Sequence, residues 1–226
     1  MPNDGLIHYN RIVEGSLTDG PGIRTVLFMQ GCTIHCPGCQ NQHLWEQDGA
    51  LVEAPFQVAE KLLATGQAIT LTGGEPTDQP LALYTLIITL KRHQPAPHII
   101  VYTGRTLDDV AGDKSEAGRQ ALAALISTDV VVDGPFIAAQ DDDMLQWKGS
   151  GNQRPIDMQA TLWAMFQAED NRLDQIAHYI VPAECWDTMT LIITPRGVVG
   201  PAGLIEKIAQ EGDCVVDHRP CGSTRT

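Results

Sequence analysis

GCTIHCPGCQN, residues 31–41, places three cysteines, Cys32, Cys36 and Cys39, at x3 and x2 spacing with no fourth nearby. A structural zinc site takes four protein ligands and usually offers them as two pairs. A ferredoxin-type cluster also takes four thiolates. Three close thiols satisfy neither, so the missing ligand is the question this loop poses.

The flanking sequence supplies the fold class. IRTVLFMQ (23–30), which leads into the loop, is short, apolar and β-branched, as expected of a buried strand. PFQVAEKLLATG (55–66) predicts a helix that opens at Pro55, stops at Gly66 and turns Phe56, Ala59, Leu62 and Leu63 inward. AITLTGG (68–74), HIIVYTG (98–104) and DVVVDGP (129–135) read as strands ending at glycine. Between them, 80–94 and 107–127 read as helices, the second with an exposed interruption. Strands alternating with helices predict parallel βα units, whose ligands collect beyond the carboxyl ends of the strands. The cysteine loop and the glycine-ended strands would open on that one edge.

Beyond residue 156 the texture changes. Residues 158–180 predict a helix and TLIITPRGVVG (190–200) a hairpin turning at Pro195 to Gly197; the competing reading makes 190–194 another strand of the main sheet. Residues 201–212 predict a short helix between Pro201 and Gly212. The expectation is a core over 1–156 with an extension over 157–226.

Composition narrows the function. With 28 acidic against 15 basic residues and a formal charge of −13, the chain lacks the basic footprint of a nucleic-acid binder. No apolar stretch reaches membrane-spanning length and the N-terminus has no signal-peptide run, so a cytoplasmic location is expected. There, six cysteines are metal ligands or free thiols rather than disulfides.

If the three thiolates hold a [4Fe–4S] cluster, three irons are ligated by protein and the fourth stays open to a small molecule, as in a catalytic zinc site. CTIHCPGC resembles the CxxxCxxC signature of radical S-adenosylmethionine enzymes, and LTGGEP (71–76) resembles their second motif. DGPGIRTVLF (19–28), CQNQHLW (39–45), DVVVDGPF (129–136) and WKGSGNQ (147–153) are similar to segments of the glycyl-radical-enzyme activating branch, in particular the activators of anaerobic ribonucleotide reductase. Gly38 stands where many radical enzymes carry an aromatic residue.

The resemblance implies a partial (β/α) barrel with a C-terminal appendage, and an oxidoreductase. Its cofactors would be a [4Fe–4S] cluster on Cys32, Cys36 and Cys39, and S-adenosylmethionine. Gly73, Gly74 and Glu75 would hold the methionyl amine, the glycines because a missing Cβ lets carbonyls approach a cation. Asp133, Ser150 and Asn152 would lie near the nucleoside. Reductive cleavage of the cofactor would release a 5′-deoxyadenosyl radical that takes hydrogen from a glycine of a partner glycyl radical enzyme, with a flavodoxin- or ferredoxin-type electron donor. Two rivals stand beside this: a radical enzyme acting directly on a small molecule, such as a deazaguanine-forming synthase, and a noncatalytic metal-binding module. Cys185, Cys214, His218 and Cys221 offer either a second metal site or free thiols with a surface histidine.

Overall fold

The computed structural model describes residues 4–167 together with 192–194 and 197–199. Seven strands form one mixed sheet: β1 (Ile7–Ser16), β2 (Arg24–Met29), β3 (Leu51–Glu53), β4 (Ala68–Gly73), β5 (Ile99–Tyr102), β6 (Val130–Asp133) and β7 (Arg154–Asp157). Their order is β3-β1-β2-β4-β5-β6-β7. The central four run parallel, as predicted, while β1, β3 and β7 pair antiparallel at the flanks. The architecture is mixed α/β, with β3 and β7 as the sheet's two edges.

The flanking strands were not expected from sequence. β1 carries register shifts between Tyr9 and Arg11 and between Val13 and Ser16, which break its two-residue alternation. β7 contains Pro155, which removes a ladder donor but is tolerated on an edge strand, where β7 lies.

Helices α1 (Pro55–Leu63), α2 (Pro80–Lys91), α3 (Leu107–Gly112) and α4 (Glu116–Ile126) complete the βα units. The expected interruption in 107–127 is real: residues 113–115 separate α3 from α4, each capped by a hydroxyl, Thr106 accepting from Asp109 N–H and Ser115 from Gly118 N–H. In α1 the buried stripe is Pro55, Val58, Ala59 and Leu62, whereas Phe56 is exposed. The inward face is therefore displaced from the one the sequence suggested. The main core joins Leu27, Met29, Ile69, Leu71, Ile99, Val101 and Val131 to the helices. The alternate residues Ile100, Val130 and Val132 form a smaller cluster on the other face, with Tyr102 and Trp147 against it. Two-residue alternation thus splits each strand between a helix-covered and a helix-free face.

A further helix, α5 (Met158–Gln167), starts the predicted 158–180 segment. Strands β8 (Ile192–Thr194) and β9 (Gly197–Val199) pair antiparallel in a two-stranded sheet of their own, which favours the hairpin over the extra-strand reading. The predicted 201–212 helix and Cys185, Cys214, His218 and Cys221 lie outside the described residues. Among the described residues no helix is long and apolar enough to cross a membrane.

Candidate metal centre

The carboxyl ends of β2, β4 and β5 bring the cysteine loop, the GGE segment and residues 102–104 to one cavity of about 180 Å³, which Cys32, Cys36, Cys39, Gly73, Gly74 and Glu75 all line. The loop closes at its base through two backbone bonds, Gly31 N–H to the Leu44 carbonyl (2.7 Å) and Cys32 N–H to the Trp45 carbonyl (2.9 Å). At its tip Cys39 N–H donates to the Cys36 carbonyl (3.1 Å). Gly38, inside that turn, has φ +79°, and an added Cβ would sit 3.2 Å from the Ala138 Cβ. The turn thus selects glycine where an aromatic is common.

All three loop thiols are free, Cys32 buried and the other two half-buried. Burial pushes the Cys32 thiol up from its ordinary pKa; the backbone N–H groups of His35 and Ile34 oppose this, and the charges of Glu75 and Asp78 add to it. Asn41 N–H donates to the Cys39 sulfur at 3.4 Å. Sulfurs surrounded by amide donors suit metal-bound thiolate. Among the described residues no three Cys, His, Asp or Glu side chains form a ligand set for a single metal ion. A cuboidal cluster asks for something else, since each thiolate binds a different iron and the sulfurs stand further apart. The donor set and the shared cavity fit such a cluster.

The GGE segment is joined to the cysteine loop through its backbone. Gly74 N–H donates to the Met29 carbonyl and Glu75 N–H to the Gly31 carbonyl, both at 2.8 Å, so residue 75 is tied to the residue before the first cysteine. A Cβ on Gly74 would lie 2.1 Å from the Gly31 oxygen, and one on Gly73 (φ +109°) 2.5 Å from Met29 N. Packing against the neighbouring chain therefore demands both glycines, a reason independent of any bound cation.

Glu75 is 1% exposed. Its Oε1 accepts from Thr77 N–H (2.9 Å), the Thr77 hydroxyl (2.6 Å) and the Thr103 hydroxyl (2.8 Å), and its Oε2 from Gly104 N–H (2.8 Å). Burial raises its pKa, and the bonds from Thr77, Thr103 and Gly104 pull against that. The carboxylate laces the end of β4 to the loop after β5.

A family model described as a 4Fe-4S single cluster domain matches residues 18–156. The chain is 36% identical over 156 residues to the anaerobic ribonucleoside-triphosphate reductase-activating protein of Haemophilus influenzae, covering 65% of this chain and 96% of that one. Its counterparts in Pasteurella multocida (35% over 159 residues; 65% of this chain, 95% of that one) and Vibrio cholerae (31% over 156 residues; 65% and 96%) are similar. The chain belongs to this activating-protein family, within the radical S-adenosylmethionine enzymes.

Of the family motifs after β6, Asp133, Ser150 and Asn152 are not among the residues that line the cavity. Asp133 is fully buried and held by Arg154 through Nε to Oδ1 (2.9 Å) and a terminal nitrogen to Oδ2 (2.6 Å), while Oδ2 also accepts from Leu107 N–H (2.7 Å). The Ser150 hydroxyl accepts from Ile137 N–H (3.1 Å) and donates to Asn152 Oδ1 (2.7 Å), and Asn152 Nδ2 donates to the Pro135 carbonyl (2.8 Å). These three side chains brace the loops, and it is Phe136, Gly149 and Gln153 of the same loops that line the cavity. Phe136 and Gln153 end the two segments that carry the family resemblance, although neither was singled out as a site residue. His35 stacks on Trp45, with ring centroids 4.6 Å apart.

Proposed function

We propose that this protein is a radical S-adenosylmethionine activase that installs a glycyl radical on a partner enzyme, an anaerobic ribonucleotide reductase. The observation that carries the reading is the single cavity shared by Cys32, Cys36, Cys39 and the Gly73–Gly74–Glu75 segment at the carboxyl ends of parallel strands. The names of the relatives supply the partner class.

In this reading the sheet and its helices are the partial (β/α) barrel of that superfamily. Cys32, Cys36 and Cys39 hold a [4Fe–4S] cluster, and carbonyls of the Gly73–Gly74 segment receive the methionyl amine. When bound, the cluster and S-adenosylmethionine together supply a 5′-deoxyadenosyl radical, with the electron coming from a flavodoxin- or ferredoxin-type donor. The protein's own part is positional. Glu75, with its four donors, fixes the backbone of the amine site. Asp133, Ser150 and Asn152 act by holding the two loops whose Phe136, Gly149 and Gln153 face the nucleoside end. A powerful hydrogen abstractor also requires water exclusion and one aimed C–H bond. A glycine on a flexible loop of the partner meets that need, because its α-carbon radical is flanked by amide groups and no side chain bars access.

Anaerobically reconstituted protein, reduced and mixed with S-adenosylmethionine and its reductase, should give a glycyl radical signal in electron paramagnetic resonance. The signal should vanish when the partner's target glycine is alanine. Stoichiometric deoxyadenosine with a modified small molecule and no partner would overturn the reading in favour of a small-molecule enzyme.

A further inference from the structure

We infer that the ring of Phe136 is the surface on which the adenine of S-adenosylmethionine stacks, and that Ser150 and Asn152 serve the cofactor by fixing this ring. This rests on the cofactor assignment above and names the residue that binds the base. Phe136 is half-buried and lines the same cavity as the three cysteines. Its ring is wedged between two glycines of different segments. A Cβ added to Gly38, in the cysteine loop, would lie 3.6 Å from Phe136 Cε1; one added to Gly149 would lie 3.2 Å from Cδ2 and 3.6 Å from Cε2. Those atoms belong to opposite edges of the ring, so both edges are held and a face is left for the cavity. Gly149 has no φ in the left-handed range, so the ring rather than the turn asks for glycine there. Gly38 leaves empty the position where many radical enzymes carry an aromatic residue, and Phe136 brings a ring against it from the loop after β6.

The backbone is pinned on both sides of this ring. Asn152 Nδ2 donates to the Pro135 carbonyl (2.8 Å), Ile137 N–H donates to the Ser150 hydroxyl (3.1 Å), and that hydroxyl donates to Asn152 Oδ1 (2.7 Å). A ring fixed in this way has little freedom left to lose when a ligand settles on it. The other aromatic residues of the cavity are already engaged. Trp45 is stacked by His35, while Tyr102 packs on Ile100, Val130 and Val132 and donates its hydroxyl to the Trp147 carbonyl (2.7 Å). Phe136 pairs with no other ring among the described residues. A planar base stacks on such a ring through its π-face, with no need of hydrogen-bond partners at its edges.

The test compares cluster-loaded wild type with Phe136→Leu, which keeps apolar bulk but loses the π-face, and with Phe136→Tyr, which keeps the ring. Iron content, melting temperature and calorimetric binding of S-adenosylmethionine are measured for each. A wild-type protein that takes up no cluster, or does not bind S-adenosylmethionine, would overturn the functional reading itself. With both bound by wild type, Phe136→Leu should bind S-adenosylmethionine about fivefold more weakly at equal iron content and melting temperature, and Phe136→Tyr should match wild type. Unchanged affinity in Phe136→Leu, or an equal loss in Phe136→Tyr, would overturn the inference and leave the cluster assignment standing. Should Phe136→Leu fail to fold or to hold iron, wild type decides the matter with a photoreactive 8-azidoadenine analogue of the cofactor, illuminated on the oxidised cluster protein. Peptide mapping that finds the label within residues 135–137 supports the stack, and a label found only elsewhere, or none, overturns it.

Discussion

Asp78 grips Thr33 twice: Thr33 N–H donates to Oδ2 at 2.7 Å and the Thr33 hydroxyl to Oδ1 at 2.9 Å. Thr33 follows the first cysteine, so a carboxylate just beyond the GGE segment holds the cysteine loop directly. Arg105 joins the same group from the loop after β5, donating to Asp78 Oδ1 (2.7 Å), to the Thr33 hydroxyl (2.9 Å) and, through Nε, to the Thr77 hydroxyl (3.1 Å). Three separate segments of the chain are thereby locked around one wall of the cavity.

Asp78→Ala should therefore loosen the cysteine loop while leaving the sheet in place. Hydrogen bonds to a charged group contribute about 1.5–3 kcal/mol each, and Asp78 is almost fully buried. A loss of even about 1.4 kcal/mol at the loop is a tenfold change in an opening equilibrium. A chelator should bleach the variant's cluster about ten times faster than wild type, with the far-ultraviolet circular dichroism unchanged. Equal bleaching rates would place the clamp outside cluster retention.

Gly74→Ala tests where the glycine requirement originates. The added Cβ meets the Gly31 oxygen, and Gly31 directly precedes Cys32. Overpacking of this kind costs about 1–3 kcal/mol. Iron content and S-adenosylmethionine binding should fall together, with the melting temperature lower by about 3–10 °C. Full iron with lost cofactor binding would mean that the strain is felt only by the bound cofactor.

The four parallel strands were legible because they are buried on both sides and read as continuous apolar runs, such as Ile99 to Val101 and Val130 to Val132. β1 and β7 escaped because bulges and Pro155 hide their alternation, and three-residue β3 offers no pattern at all. In the cavity, the thiols and glycines were legible because their chemistry depends on local spacing. Trp45, Phe136 and Gln153 end segments that the resemblance marked, but their place in the cavity comes from chain closure, which spacing does not encode. The resemblance assigned Asp133, Ser150 and Asn152 to the nucleoside end, and the hydrogen bonds show that all three also brace the segments after β6.

His98 should make stability fall on acidification. Burial pushes its pKa from 6.5 down to about 4, Arg24 and Lys91 push the same way, and Asp129 opposes them. The geometry agrees: Arg24 faces Nδ1 at 3.5 Å, and Nε2 is buried without a partner among the described residues. Between pH 6.5 and 4 the unfolded chain binds a proton at this ring that the native state refuses. Stability present at neutral pH is therefore lost as pH falls through that window, by on the order of 3 kcal/mol when complete. Against His98→Asn, the wild type should lose unfolding free energy progressively as pH falls through the window, measured by urea denaturation. Parallel curves for the two proteins would show that His98 titrates normally.

The pair Arg154 and Asp133 separates a bracing role from cofactor contact. Asp133 has no exposed surface, and Arg154 satisfies it with two bonds while Leu107 N–H supplies a third. Arg154→Met removes the cation but leaves a buried carboxylate, a loss that costs about 3 kcal/mol at a partly exposed pair. Asp133→Asn in the same chain relieves that unpaired charge. The double variant should therefore recover much of the stability that Arg154→Met alone loses, and the coupling between the two positions should be at least about 1 kcal/mol. On the bracing role, affinity for S-adenosylmethionine should follow stability across the series, since Asp133 would then act through the loops after β6. Calorimetric titration of cluster-loaded Asp133→Asn decides between the roles. A large loss of affinity in a variant with wild-type melting temperature would make Asp133 a direct contact, whereas a matched, modest loss of both is the result expected of a brace.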